Sequence, residues 1–307
     1  MKKFEVFGLQ TLPEIQPGDN LPQIIIDCAG NEIGGLQAGD ILILTSKIIS
    51  KAMGLLKKKS DVKVTKSALA VSKRTGKDPV WVQLVMDEGH EIVAVIPLNG
   101  IFREHVMHSS QDTQCSNKLC EYEQCLLITI SPGGTLHTCD AGIDGSNHPE
   151  GVVSFMPPEP DEVAEAVREE IKTSTGKEVA VILADTELMP FGTMDFAVGS
   201  SGIEPRGKEF GRNDNFGRPK FGGMDLTAHE LAAAAALQFA QTNAGIPVAV
   251  IRGYQYNVSN TENITNTLWP KGDKEQTRRA IKEIMRATAG ARSLRQRLLL
   301  KIASWLV

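Results

Sequence analysis

Three short clusters carry side chains whose types and spacing can do chemistry. Thr45-Ser46-Lys47, followed by Ser50-Lys51, leaves an apolar run. Hydroxyls and ammonium groups at the end of a strand suit phosphate oxygens, which need donors and positive charge. No Gly-x4-Gly-Lys-Ser/Thr is present, so this is no ordinary P-loop, and on residue types alone a solvated helix start is the simpler reading. The second cluster is Asp140-Ala-Gly-Ile-Asp144-Gly-Ser-Asn147. Acidic and amide oxygens on a glycine-containing turn suit a hard divalent cation, and Gly142 and Gly145 allow positive φ. A purely structural turn, held by Asp and Asn bonding their own backbone, explains it equally well. The third is Asp185-Thr186, directly after VAVIL. A carboxylate and a hydroxyl at the carboxyl end of a buried strand lie where α/β sites commonly form, although Asp185 could simply cap the next segment. Two separated acids of this kind can converge on one or two metals that bridge nucleotide phosphates.

These clusters need strands and helices to position them. Ile41–Thr45, Ile92–Pro97, Leu126–Ile130, Val179–Leu183 and Pro247–Ile251 read as strands: short apolar runs bounded by turn residues. Asp161–Lys172 reads as a helix with Val163, Val167 and Ile171 on one face and Asp161 as its N-cap. Thr227–Gln241 is alanine-rich, a strong helix former suited to close packing. Pro157–Pro160 resembles a connector between two lobes. The expected fold is α+β (mixed α/β), because strands and helices do not alternate regularly enough for a doubly wound sheet.

With 41% hydrophobic and 23% charged residues among 307, the composition is that of a globular chain. A net charge of −4 gives no global pull toward nucleic acid or anionic membrane. No run of 18 apolar residues occurs, and MKKFEVFGLQ lacks the apolar core of a signal peptide, so the cytoplasm is the expected compartment. Five cysteines, an odd number, point to reduced thiols. Cys115, Cys120 and Cys125, with His105 and His108 upstream, only loosely match zinc-ligand spacing, so ordinary thiols in a loop or hairpin are the favoured reading. From Pro270 to Val307 ten Lys/Arg face three Asp/Glu, a local +7 that leaves −11 on the remainder. Leu294, Leu298, Ile302 and Trp305 fall at helical spacing there. Docking of this tail on the body or a second subunit is favoured over contact with a membrane surface.

Taken in order, the segments LPEI, AGDILILTSKIISKAMG, KDP, DAGIDGSN, ILADT, GTMDFAVGSSGI, HELAAAAAL and AQTNAGIPVAVIRG resemble the coenzyme F-420-0:γ-glutamyl ligases. The resemblance spans roughly residues 10 to 254, leaving 255–307 as a basic helical extension. It implies two intimately associated subdomains, a homodimer, and GTP and divalent-cation binding (Mg2+ or Mn2+, with K+ as an additional candidate). The implied reaction joins L-glutamate to a carboxylate-bearing acceptor through an amide, with an acyl phosphate as the simplest activated form. Residue by residue, Asp144, Asp185 and Thr186 fall at the family's metal ligands, and the first two are the expected catalytic pair. Leu12, Pro13, Glu14, Ile15, Ser46, Lys47, Lys51, Asn147, Gln241, Thr242 and Asn243 fall at its nucleotide contacts.

The pattern also departs from the family. Relatives usually continue Asp-Thr with Phe-Gly-Arg, whereas this chain reads Glu187-Leu188-Met189, and His229 stands where relatives often carry an acid. The cation lost and the acid gained alter the implied acceptor side. An acceptor other than F-420-0 (folate- or pterin-like, or a hydroxy acid) is therefore the alternative within the family. A nucleotide-binding regulator without catalysis is the alternative outside it.

Overall fold

Apolar runs buried on both faces dominate the central sheet, as expected for strands covered by helices on each side. The structure is a computed structural model and describes residues 3–97, 125–189, 192–207, 212–219, 226–240, 243–268, 275–276 and 278–283. The chain forms two compact units, one of Met1–Ser60 with Gly142–Pro270 and one of Asp61–Ala141 with Lys271–Val307.

In the first unit, β1 (Glu5–Gly8), β2 (Ile41–Thr45), β8 (Ala180–Met189), β9 (Gly192–Ser201) and β10 (Val248–Arg252) build a five-stranded sheet ordered β1-β10-β2-β8-β9. Only β2 and β8 run parallel; the other neighbours are antiparallel. Alternation along the strands splits the core in two. Leu42, Leu44, Val181, Leu183, Val248 and Val250 pack on one face with Ile25 of α1 (Leu21–Ile33) and Val167 and Ile171 of α5 (Pro160–Thr175). Ile41, Ile43, Ile182, Ala249 and Ile251 pack on the other with Ala228, Ala232 and Ala235 of α6 (Thr227–Phe239). The small side chains of α6 let it lie close to the sheet. A short helix α2 (Ser46–Ala52) follows β2 directly, and β3 (Leu56–Lys58) pairs antiparallel with β7 (Val152–Ser154). The unit also contains the short α7 (Ile264–Leu268).

Local signals place several ends. Asn20 caps α1 by accepting the Gln23 N–H at 2.9 Å, and Gly34, at φ 72°, closes it in the left-handed conformation. Helix α5 corrects the expectation for Asp161. The helix starts at Pro160 with Glu159 at the cap position, so Asp161 lies in the first turn, buried. Its carboxylate accepts the N–H groups of Ser200 (2.7 Å), Ile264 (3.1 Å) and Thr265 (3.1 Å), tying β9 and α7 to α5. Long-range partners captured a residue whose type suits capping. β8 runs on to Met189, six residues beyond the expected Leu183, because β9 pairs with it along its length.

The second unit holds α3 (Lys66–Thr75), α4 (Pro79–Asp87) and an antiparallel sheet β4-β5-β6 (Glu91–Pro97, Cys125–Ile130, Leu136–His137). Asp78 caps α4 ahead of Pro79, the favoured first helical residue. Inside this unit the buried Lys77 ammonium donates to Asp140 at 2.5 Å and to the Cys125 carbonyl at 3.0 Å, over the Trp81 ring. Asp140 also accepts the Leu127 N–H at 2.8 Å, so the buried pair is well hydrogen-bonded. Cys28 and Cys125 are buried and Cys139 is half-buried, while Cys115, Cys120, His105, His108 and the tail from residue 284 lie outside the described residues.

Close packing of β9 on α5 depends on Gly199, where a Cβ would fall 2.5 Å from the Pro160 main-chain carbon. Backbone cannot yield as a side-chain tip does, so Gly199→Ala is expected to destabilise the protein by about 1–3 kcal/mol, read as a lowered urea midpoint. An unchanged midpoint would show that α5 can lift off the sheet without cost.

Candidate functional site

The β2–β8 pairing places Thr45 opposite Ala184, so the two strands deliver Ser46 and Asp185 to the same place. The Ser46 hydroxyl donates to Asp185 Oδ1 at 2.7 Å. One residue further along α2, Lys47 Nζ lies 2.7 Å from Asp144 Oδ2 and donates to Ser146 Oγ at 2.5 Å. The Ser146 N–H closes this turn on Asp144 Oδ1 at 2.6 Å. Four residues after Lys47, one helical turn on, Lys51 is only 6% exposed. It pairs with Glu14 and donates to the Asn147 carbonyl at 2.9 Å. Ser46, Lys47 and Lys51 thus gather two segments about 100 and 140 residues away in the chain.

Beside Lys51 opens a cavity of about 600 Å³, lined among others by Glu14, Ile15, Lys51, Lys58, Asn147 and His148. Leu12 instead packs against the core, Pro13 is exposed, and Ile15 is buried. Asn243 is exposed, and Gln241 and Thr242 lie outside the described residues.

The two acids stand in opposite electrostatic states. Burial disfavours the Asp144 charge, but the Lys47 ammonium, with hydrogen bonds from Lys47 and Ser146, holds its carboxyl below the usual range. Among the described residues no such cation faces Asp185. Although the residue keeps some exposure, burial of its carboxyl pushes it up to about 8. The bonds from the Ser46 hydroxyl and the Thr186 backbone N–H pull it down, while the like charges of Glu187 and Asp144 push it further up. A buried carboxyl flanked by like charges suits a cation that would relieve that repulsion. Among the described residues, no set of three or more His, Cys, Asp or Glu is placed to hold a metal. A cation held by Asp144 and Asp185 would have few protein ligands and would leave positions to water and substrate oxygens.

Thr186 goes elsewhere. Neighbouring strand residues point to opposite faces, and the Thr186 hydroxyl donates to Asp195 of β9 at 2.8 Å, directly across the pair. Asp195 is 3% exposed, a buried acid that composition does not single out. Glu187, two residues beyond Asp185, shares its strand face. His148 on the cavity wall was also without signal in the sequence, since its role depends on where its turn folds back.

The chain that builds this site matches a known group over most of its length. A family model described as F420-0:Gamma-glutamyl ligase matches residues 10–253. The chain belongs to this ligase family. Similar proteins include the coenzyme F420:L-glutamate ligase of Methanosarcina mazei, 32% identical over 272 residues, covering 88% of this chain and 93% of that protein. The ligase of the same name from Methanothermobacter thermautotrophicus is 31% identical over 256 residues, covering 82% and 89%. That of Methanocaldococcus jannaschii is 33% identical over 256 residues, covering 82% and 88%. Both Asp144 and Asp185 lie inside the span matched to the family. No helix among the described residues is long and apolar enough to cross a membrane.

Two of the shifted groups make stability depend on pH, in opposite directions. The folded Asp185 pKa is raised, so between about pH 4 and 8 the native state keeps a proton that the unfolded chain releases. Stability from this group is therefore lost as pH rises through that window. Without divalent cations, Asp185→Asn is expected to melt several degrees above the native protein at pH 8 and equally at pH 4. A lower melting point at pH 8 would contradict the buried-charge account. His229 behaves oppositely: burial lowers it to about 4 while its Nδ1 accepts the Ala197 N–H at 3.1 Å. Its contribution is complete above about 6.5, the unfolded value, and is lost as pH falls toward 4. His229→Gln should flatten the acid limb of the melting-temperature profile between those values, and an unaltered limb would reassign it to another group.

Proposed function

We propose that this ligase uses GTP to join L-glutamate, through an amide bond, to a carboxylate-bearing acceptor of the coenzyme F420-0 type. The observation that carries the reading is the convergence of Ser46, Lys47, Asp144 and Asp185 beside a cavity lined by Lys51, Glu14, Ile15 and Asn147, in a chain of this family. Hydroxyls and ammonium groups suit a polyphosphate, and a cavity of about 600 Å³ accommodates a nucleoside.

A carboxylate is a poor electrophile and must be activated. In the proposed sequence an acceptor carboxylate oxygen attacks the γ-phosphorus and GDP leaves, forming an acyl phosphate. The glutamate amine then attacks the acyl carbon; phosphate departs and the nitrogen loses a proton. Lys47 and Lys51 would offset phosphate charge, and Ser46 would orient Asp185. Asp144 and Asp185 would hold Mg2+ or Mn2+, which neutralises triphosphate charge when bound. Thr186, turned to Asp195, would brace the strand that carries Asp185. A monovalent cation such as K+, a homodimer and a cytoplasmic location complete the proposal. Nucleic acid has no part in it.

One observation favours a different acceptor within the same chemistry. Glu187 sits on the strand face of Asp185, where an anionic acceptor tail would meet repulsion.

GDP release from GTP with Mn2+ and L-glutamate, with and without coenzyme F420-0, tests the reading. Release that depends on this acceptor, with a product heavier by one glutamyl unit, is expected. Release only with another carboxylate acceptor would redirect the substrate assignment, and none with any would sink the ligase reading. Asp144→Ala should lower turnover at least 100-fold (about 3 kcal/mol) while retaining the fold by circular dichroism. Lys51→Ala should mainly raise the GTP concentration needed for half-maximal rate, and an unchanged GTP response would remove it from the nucleotide site.

A further inference from the structure

The turn that carries Asp144 is also a wall of the cavity, because Asn147, His148, Pro149 and Val152 all line it. Lys47 bonds Asp144 and Ser146, Lys51 bonds the Asn147 carbonyl, and a main-chain bridge closes the turn. Asp144 and Ser154 form an isolated bridge, in which Asp144 N donates to Ser154 O at 3.1 Å and Ser154 N donates to Asp144 O at 2.8 Å. Ser154 is also the register partner of Leu56 in β3. It therefore stands between an established strand pair and the lone bridge to Asp144. Between the two bridged residues, Asn147 takes φ 54°, a left-handed conformation that asparagine tolerates. This reverses the chain and brings the His148 ring back, with Nε2 2.9 Å from Ser154 Oγ. The Ser154 hydroxyl is in turn 3.4 Å from the Asp144 carbonyl oxygen, at the limit of a hydrogen bond.

We propose that His148 is a positioning residue that, through the Ser154 side chain, locks the bridge setting the Asp144 main chain, and with it the Asp144 carboxylate. The bridge is a single pair at the end of the β3–β7 ladder, and the side-chain tie from His148 acts across the turn directly at that pair. The ring sits among Lys51, Asp144, Lys47 and Glu14, and burial, then Lys51, holds its pKa below the usual histidine value. It is thus neutral at physiological pH, and with its proton on Nε2 the ring donates to the Ser154 oxygen, which leaves the hydroxyl proton for the Asp144 carbonyl. Opening the turn would shift Asp144 away from Lys47 and from Asp185, loosening any cation held there. This consequence rests on the proposed cation role of Asp144; the locking of the bridge does not.

Two measurements on the full chain separate these parts. Amide hydrogen exchange of the metal-free protein should show the Asp144 and Ser154 N–H groups exchanging at least tenfold faster in His148→Ala. Calorimetric titration with Mn2+ should show its Kd raised about tenfold or more, the usual effect of losing a group that orients a ligand. Ser154→Ala should reproduce both changes, and the double variant should add little to either single one. His148→Gln, which can still bond the hydroxyl, should recover part of the loss. Unchanged exchange at the two amides in His148→Ala would overturn the proposal, and effects that multiply in the double variant would overturn the route through Ser154. Faster exchange in a chain whose native form binds no Mn2+ would uphold the locking role and remove the cation reading of Asp144.

Discussion

The Ser46–Asp185 hydrogen bond depends on one pairing, the parallel alignment of β2 with β8. Parallel strands cannot be joined by a tight turn, so their ends come together only through a long excursion of chain. Here the excursion, from residue 46 to residue 179, contains the turn carrying Asp144 and the whole of α5. Once Thr45 lies opposite Ala184, the first turn of α2 follows at the carboxyl end of this central strand, and its serine and lysines reach segments they could not meet locally. A one-residue slip would turn Asp185 to the face where Thr186 now bonds Asp195. The sheet resists such a slip because both of its faces are buried, by Leu42, Leu44 and Val181 on one side and Ile41, Ile43 and Ile182 on the other.

Within that frame the charges are unevenly matched. Asp144 has Lys47, whereas Asp185 has a serine, a backbone N–H and acids of its own sign. An uncompensated buried carboxyl costs stability near neutral pH, and such a cost persists in a fold when surrounding structure holds the group in place. Asp185 is held by a strand paired on both sides at its base, which places this cost on a rigid element. Sites that exchange charge with a ligand have this character, because the ligand completes what the protein leaves unbalanced. The acid-sensitive His229, wedged edge-on against Phe196 at 5.0 Å, belongs instead to the packing of α6 against β9.

Much of this was legible in the chain. ILILT and PVAVI are strands because runs of branched apolar residues bounded by turn formers bury both faces, and β2 and β10 lie within a residue of where those runs fall. The alanine-rich helix is equally direct, ending at Phe239. Less legible was GTMDFAVGSS, whose glycines and small residues obscure the long strand β9; its extension comes from pairing with β8.

The sequence by itself determined the family, the apolar strands and the residue types able to bind phosphate and cation, since these depend on local pattern and on the order of motifs. Tertiary structure alone decided which of those residues meet. It joined Ser46 to Asp185 and Lys47 to Asp144, turned Thr186 to the opposite face with Asp195, took Asp161 from its cap position into a buried three-way tie, and folded His148 back onto Ser154. Each of these turns on strand register or on contacts between residues far apart in the chain, which no local pattern encodes.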